Sequence, residues 1–165
     1  MARKERRLST TSTPDTAFQS APRGIAYLVG RLDRLLRRHL GEVLSPQGLS
    51  VQQYTALAML GARGPLSNAQ LADRSFVTPQ TANEMVKGME MRGWVDRASD
   101  PEHGRVIFLR LTTRGREVLD RAHAAAAALE TRMLAGLSEP ERARIHRALS
   151  LCVQSLGAML AEDRA

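Results

Sequence analysis

A ten-residue segment, 78–87, carries the side chains of this chain that are best suited to recognising a ligand. Amide side chains can form paired hydrogen bonds with the edge of an adenine, and threonine can contact the methyl group of a thymine. A hydroxyl at a helix start and a lysine ammonium can both contact a phosphate. We therefore predict that this segment binds DNA through a set of polar residues, namely Thr78, Gln80, Thr81, Asn83 and Lys87.

The same segment has the start signal and the spacing of an amphipathic helix. Thr78 is a good N-cap, and Pro79 suits the first helical position, where its missing N–H is not needed. Four apolar residues at helical spacing predict a buried stripe opposite the polar face: Ala82, Met85, Val86 and Met89. Taken alone, the polar face is equally compatible with an ordinary solvated helix.

A predicted β-hairpin directly follows this helix. The strands are Trp94-Val95 and the segment 106–111, and residues 100–104 have the Asp, Pro and Gly of a turn. Arg105 at the hairpin tip is long enough to enter a narrow minor groove, where the negative potential is enhanced. Asp100 is predicted to support this wing. The alternative is a hairpin with an exposed ion pair worth at most about 1 kcal/mol.

Helices on both sides are needed to position these residues. A first helix runs from Gly24 to Val43, a second begins after Ser50, and a short third extends from Asn68 to about Arg74. A long helix begins at Thr113 and is expected to continue to about Leu137, and a last helix follows it. The order predicts a mainly α fold (α+β) with a small β-hairpin wing, in which a helix-turn-helix precedes the hairpin.

Composition and charge favour a polyanionic partner. The 165 residues carry a net charge of +7, distributed as +5 over residues 1–62, +3 over 63–116 and −1 over 117–165. An Arg-rich solvated surface is the equally weighted alternative for charge alone. No apolar run suits a membrane span or a secretory signal, and one cysteine fits a reducing compartment, so we expect a cytoplasmic protein.

The chain resembles the multiple antibiotic resistance regulator (MarR) family of winged helix-turn-helix transcription factors over about residues 24–160. The matching positions are Leu66-Ser67, Leu71-Ala72, Thr78, Val86-Lys87, Met89, Arg92-Gly93-Trp94-Val95, Asp100-Pro101, Arg105, Leu109, Leu111-Thr112 and Gly115. The resemblance implies a homodimer with an interleaved helical dimerisation domain and a pseudo-palindromic DNA operator. By position it places the five polar residues of 78–87 on the DNA-reading helix and Arg105 on the wing.

Several positions depart from the family pattern. His103 and Gly104 stand where the wing often has Asp and Arg, and the turn at 75–77 lacks the usual glycine. Pro79 occupies a position that is polar or basic in many members.

The domain organisation follows from the same reading. We expect a mobile basic arm at 1–22, a helical dimerisation region at 23–48 and 113–165, and a winged helix-turn-helix at 49–112. The first helix and the last two carry apolar stripes that a monomer would leave partly exposed, which favours a homodimer. Cys152 lies on the stripe of the last helix and is interpreted as a structural thiol.

The resemblance also implies a small aromatic or phenolic effector, bound between the dimerisation and DNA-binding regions. The candidate pocket residues are His39, Tyr54, Met59, Arg34 and Arg38, with core packing or solvated arginine as the alternative for each. No metal spacing, phosphate loop or nucleophile–base pair is found, so we expect neither enzyme nor cofactor. The prediction is a ligand-responsive repressor; the alternative is a winged helix for protein contact or sequence-neutral chromosome binding.

Overall fold

The computed structural model describes residues 24–75, 77–99 and 107–162. In these ranges the helices are α1 (Ile25–Leu44), α2 (Val51–Arg63), α3 (Asn68–Arg74), α4 (Pro79–Met91), α5 (Thr113–Met133) and α6 (Glu139–Glu162). The strands are β1 (Leu66–Ser67), β2 (Val95–Ser99) and β3 (Ile107–Leu111), and a 3-10 turn spans Ser45–Gln47. The predicted mainly α fold with a small β wing is confirmed.

The chain divides into two compact units, Met1–Leu36 and Arg37–Ala165. In the first unit, residues 25–36 form a helical segment with exposed apolar side chains, among them Ile25, Leu28 and Val29. The second unit holds the rest of α1 and every other described element.

Two helix starts show reciprocal capping between a serine and the glutamine three residues later. Ser50 Oγ accepts from the Gln53 N–H at 3.1 Å, and Gln53 Oε1 accepts from the Ser50 N–H at 3.0 Å. Ser67 and Gln70 repeat this arrangement at the start of α3, at 3.2 and 2.9 Å. Each pair satisfies two N–H groups that would otherwise lack partners, so α2 and α3 begin at fixed residues.

The wing is a three-stranded antiparallel sheet rather than a hairpin alone. The strand order is β1-β3-β2, with Leu66 opposite Leu109 and Val95 opposite Leu111. The sequence gives no signal for β1 because a two-residue strand shows no periodicity. The first wing strand is Val95–Ser99, whereas the sequence predicted Trp94-Val95. The predicted turn at 100–104 lies outside the described residues.

One hydrophobic core supports the sheet and the short helices. Its largest fully buried side chains come from five different parts of the second unit: Leu44, Leu57, Leu71, Val86, Met89 and Leu109. Trp94 and the α5 residues Val118 and Leu119 also belong to it. The predicted inward stripe of the fourth helix is confirmed, with Met85 half-buried.

The two C-terminal helices differ from the prediction in length and in burial. α5 ends at Met133 rather than near Leu137, and Arg142 donates to the carbonyls of Leu137 at 3.0 Å and Leu134 at 3.1 Å. The apolar stripe of α6 is exposed in the single chain, and so is Cys152, which the sequence placed among buried residues. Among the described helices, none combines the length and apolar character that a bilayer crossing requires.

Candidate nucleic-acid interface

Two threonines organise the start of α4. Thr78 is the N-cap, and its Oγ1 accepts from the Thr81 N–H at 3.1 Å. The Thr78 and Thr81 hydroxyl oxygens are 2.8 Å apart, so one hydroxyl donates to the other. Thr81 is half-buried while Thr78 is exposed. The pair therefore fixes the first turn, and only one of the two hydroxyl protons is free for an outside ligand.

Gln80, Asn83 and Lys87 are exposed along the predicted polar face of α4. The Gln80 amide donates to Glu84 Oε1 at 3.3 Å, which leaves the Gln80 carbonyl oxygen available to accept. No side-chain hydrogen bond is seen for Asn83 within the described ranges. Asn83 is consequently the amide on this face that needs the least rearrangement to meet a base edge.

The opposite face of α4 rests on the core. Ala82, Val86 and Met89 have no exposed surface. The Asn68 side-chain amide, in the first turn of α3, lies 3.5 Å from the Pro79 carbonyl at the start of α4. The helix-turn-helix therefore presents the polar residues on a supported helix rather than on a loop.

The wing strand β2 is tied to the other end of α4. The Arg97 guanidinium donates to both carboxylate oxygens of Glu90, with Nε–Oε1 at 2.6 Å and Nη2–Oε2 at 3.3 Å. Both side chains are partly exposed, so the pair contributes geometry more than stability. The predicted wing residues Asp100 and Arg105 lie outside the described residues.

Three predicted pocket residues, Arg34, Arg38 and His39, lie on α1. Arg38 and His39 both contact the carboxylate of Glu42. Arg38 Nε donates to Glu42 Oε1 at 3.4 Å, and His39 Nδ1 lies 3.0 Å from Glu42 Oε2. The hydrogen bond with His39, together with Arg38, lowers the pKa of the Glu42 carboxyl. Arg38 and His39 are exposed. Arg34 belongs to the first unit and is exposed there.

Tyr54 and Met59 lie on α2, where both are half-buried against the core. The Tyr54 ring meets the His123 ring of α5 edge-on, with ring centroids 5.6 Å apart. Burial raises the pKa of the Tyr54 hydroxyl, and the negative charge of Glu130 adds to the rise. Sequence reasoning missed His123, although it lies four residues after the buried Leu119 and hence beside the inward stripe of α5.

Comparisons with known proteins agree with this geometry. A sequence model of the MarR family matches residues 47–106. The HTH-type transcriptional repressor Rv2887 of Mycobacterium tuberculosis is 37% identical over 125 residues, which span 76% of this chain and 90% of that protein. The chain belongs to the MarR family.

Solved structures extend the similarity of this MarR-family chain to the fold. The crystal structure of the Mycobacterium tuberculosis MarR-family protein Rv2887 in complex with DNA is similar, with a TM-score of 0.67 and 34% identity. The match covers 80% of this chain and 98% of the Rv2887 chain. The Rv2887 complex with p-aminosalicylic acid gives the same values. This chain is accordingly a DNA-binding transcriptional regulator, and the winged helix-turn-helix prediction is confirmed.

The MarR family is a family of regulators rather than of enzymes. Within residues 24–75, 77–99 and 107–162, no group of three or more His, Cys, Asp or Glu side chains is arranged to hold a metal ion.

Proposed function

We propose that this protein is a homodimeric repressor that binds a pseudo-palindromic operator and is released by a small aromatic anion. The observation that carries the proposal is the exposed amide and ammonium face of α4, seated on a buried core beside a three-stranded wing sheet. The assigned roles are base reading for Gln80, Thr81 and Asn83 and phosphate contact for Thr78 and Lys87. Arg105 is assigned to the minor groove, with Asp100 as its support.

The hydroxyl pair refines two of these roles. Because Thr78 Oγ1 accepts from the helix N–H of Thr81, its phosphate contact uses the hydroxyl proton or the remaining free N–H groups of the first turn. The Thr81 hydroxyl is engaged with that of Thr78, so we assign its methyl group to contact with a thymine. Asn83 then carries the largest share of base discrimination.

The exposed apolar residues of α6 support a homodimer. Large side chains such as Leu149, Leu156 and Met159 are exposed along a 24-residue helix. Soluble chains rarely leave such a stripe uncovered, and a two-fold partner would cover the same stripe on both copies. Two copies would set two α4 helices about one turn of DNA apart, or about 34–36 Å. DNA as the partner also supports a cytoplasmic location.

Ligand release is supported by the relatives and by one aromatic cluster. Rv2887 has been solved in complex with p-aminosalicylic acid and with salicylic acid. In this chain Tyr54, Met59 and His123 offer aromatic and polarizable surface, while Arg38 and His39 offer cationic groups for a carboxylate. An effector that binds one dimer conformation better would shift the population away from the DNA-binding form.

Selection from a random duplex pool tests the DNA part of the proposal. The full-length protein is expected to enrich an inverted repeat whose half-sites are centred about 10 base pairs apart. Footprinting should then protect both half-sites. If every duplex is retained equally and binding depends only on salt, the protein is a sequence-neutral binder. If no duplex is retained, the winged helix serves protein contact instead.

Two variants separate base reading from phosphate contact. Asn83→Ala should weaken binding to the selected duplex by about 10- to 100-fold and leave binding to a scrambled duplex unchanged. Lys87→Ala should weaken binding to both duplexes by a similar factor and reduce the salt dependence by about one counterion. Equal losses on the two duplexes for Asn83→Ala would remove it from base reading.

The effector is tested with salicylate, p-aminosalicylate and phenol. The two carboxylates should raise the melting temperature and release the selected duplex, and phenol should act more weakly because it lacks the carboxylate. Tyr54→Phe should shift the dose needed for release, whereas Tyr27→Phe, at the other tyrosine, should not. A dose unchanged by Tyr54→Phe would exclude its hydroxyl from the pocket.

A further inference from the structure

The C-terminal end of α4 is closed by a Schellman motif. The Gly93 N–H donates to the Glu90 carbonyl at 2.8 Å, and the Trp94 N–H donates to the Met89 carbonyl at 3.0 Å. Gly93 has φ of 68°, a left-handed conformation that glycine adopts without strain. This closure fixes the residue before it, Arg92, at the point where α4 turns into the wing sheet.

The Arg92 side chain joins this end of α4 to the segment that follows α1. Its guanidinium carbon is 4.8 Å from the centroid of the Trp94 ring, a cation–π contact. Its Nη1 donates to the carbonyl of Gly48, the residue that ends the 3-10 turn after α1. Trp94 is only 5% exposed, so the guanidinium is held against a fixed part of the core.

The same end of α4 is also joined to the first turn of α5. Thr112 Oγ1 donates to the Gly93 carbonyl at 2.6 Å and accepts from the Gly115 N–H at 2.9 Å. The Thr112 N–H donates to the Trp94 carbonyl at 3.1 Å. Gly93 and Trp94 thus bond to Thr112 at the start of α5. Arg92 itself bonds to Gly48 at the end of the 3-10 turn.

We propose that Arg92 is a positioning residue that sets the direction of the DNA-reading helix. Arg92 bonds to the Gly48 carbonyl and stacks on the Trp94 ring. It thereby fixes the C-terminal end of α4 relative to the 3-10 turn that follows α1 and to the buried Trp94. The proposal rests on the homodimeric operator binding proposed above, because only in a dimer does the direction of α4 determine the distance between two reading helices.

The geometry gives this role a measurable consequence. A 13-residue helix is about 20 Å long, so a tilt of about 10° at its C-terminal end moves the N-terminal readers by about 3.4 Å. That displacement is about the rise of one base pair. Loss of the Arg92 contacts should therefore relax the preference of the dimer for one half-site spacing, in addition to weakening binding.

The test uses full-length protein and the duplex that the unaltered protein selects from a random pool. Two further duplexes have one base pair inserted or deleted between the half-sites. The unaltered protein should bind both altered duplexes about tenfold or more weakly than the original duplex. Arg92→Ala should bind the original duplex about tenfold more weakly, which corresponds to about 1.4 kcal/mol. The affinity of Arg92→Ala for the altered duplexes should be less than about threefold below its affinity for the original duplex.

Arg63→Ala serves as the matched control. Arg63 is exposed in the last turn of α2 and carries the same charge, so its removal changes the net charge equally. This variant should keep the spacing preference of the unaltered protein. Arg92→Gln, which keeps a donor for Gly48 without the cation, takes the place of Arg92→Ala if the latter melts below the assay temperature.

A residue with only a structural role would weaken binding to all three duplexes by the same factor. Unchanged spacing preference in the folded Arg92 variant would therefore overturn the positioning role. If the unaltered protein enriches no duplex at all, the proposed operator binding fails instead, so the two failures are distinguishable.

Discussion

The winged part of this chain (residues 49–112) and its last helix, α6, differ in the burial of their apolar side chains. In the winged part, Leu57, Leu71 and Leu109 are at most 1% exposed. Along α6, Leu149, Leu156 and other large side chains are 40% exposed or more. Both regions carry apolar residues, yet among the described residues of these two regions only those of the winged part are buried in a core.

This difference indicates which part of the fold buries its apolar surface within one chain and which part needs a second chain to do so. The winged part buries its own apolar surface, so its geometry is set by the single chain. The stripe of α6 can lose contact with water only against another surface, and the proposed dimer supplies that surface. Substitutions should therefore act on different observables in the two regions: association for α6 and unfolding for the winged part.

The largest effect is expected from Leu156→Asp on α6. A charge in a covered apolar stripe would lack a partner, so the variant should be monomeric at micromolar concentration. Its affinity for the selected duplex should fall by about 100-fold or more, because a monomer contacts one half-site. Gel filtration and a binding titration measure the two results.

Gln154→Asp is the control for this variant. It adds the same charge two residues earlier, about 160° around the helix from Leu156. It should leave association unchanged. A Leu156→Asp protein that still dimerises would show that α6 is covered in some other way.

Within the winged part, Leu109→Ala should lower the free energy of unfolding by about 2–5 kcal/mol, because it leaves a cavity under the sheet. Denaturant unfolding measures the change. Ile107→Ala, on the same face of β3 but 48% exposed, should cost less than about 1 kcal/mol. Equal costs at both positions would contradict the assignment of the core.

Gly115→Ala tests the junction between the winged part and α5. A Cβ at Gly115 would lie 1.9 Å from the Trp94 carbonyl oxygen, so backbone must move and the cost should be about 1–3 kcal/mol. Gly41→Ala meets no atom within 4 Å and lies inside α1, where alanine should stabilise by about 0.5–1 kcal/mol. Thermal melts with the same sign for both variants would reject this packing.

The smallest effect is expected from Ser50→Ala, which removes the capping hydroxyl of α2. The loss should be about 1 kcal/mol and should appear in unfolding rather than in association. Gln52→Ala, an exposed position in the same first turn, is the comparison and should change stability by less than about 0.5 kcal/mol. An unchanged melt for Ser50→Ala would mean that water replaces the cap.

Local signals made most of the fold predictable from the sequence. Ser50, Ser67 and Thr78 mark helix starts because their hydroxyls bond to N–H groups three residues later, and that bond needs no distant partner. β1 was missed because a strand of two residues is defined only by its partner β3. The end of α5 was placed too late because Ala and Leu continue a helical pattern beyond Met133.

The candidate site was less completely predictable. The polar face of α4 follows from helical spacing: Gln80, Asn83 and Lys87 are exposed as expected, whereas Thr81 is half-buried. The contacts of Arg92 with Gly48 and of Tyr54 with His123 join residues that are far apart in the chain. No local pattern specifies such pairs, so they required the folded structure.

Binding stoichiometry on the selected duplex tests the central claim most directly. Native mass measurement of full-length protein with that duplex should show two chains per duplex, without a populated one-chain complex. A scrambled duplex of equal length should bind about 1000-fold more weakly or worse at physiological salt. One chain per duplex, or equal affinity for the two duplexes, would contradict sequence-specific binding by a dimer.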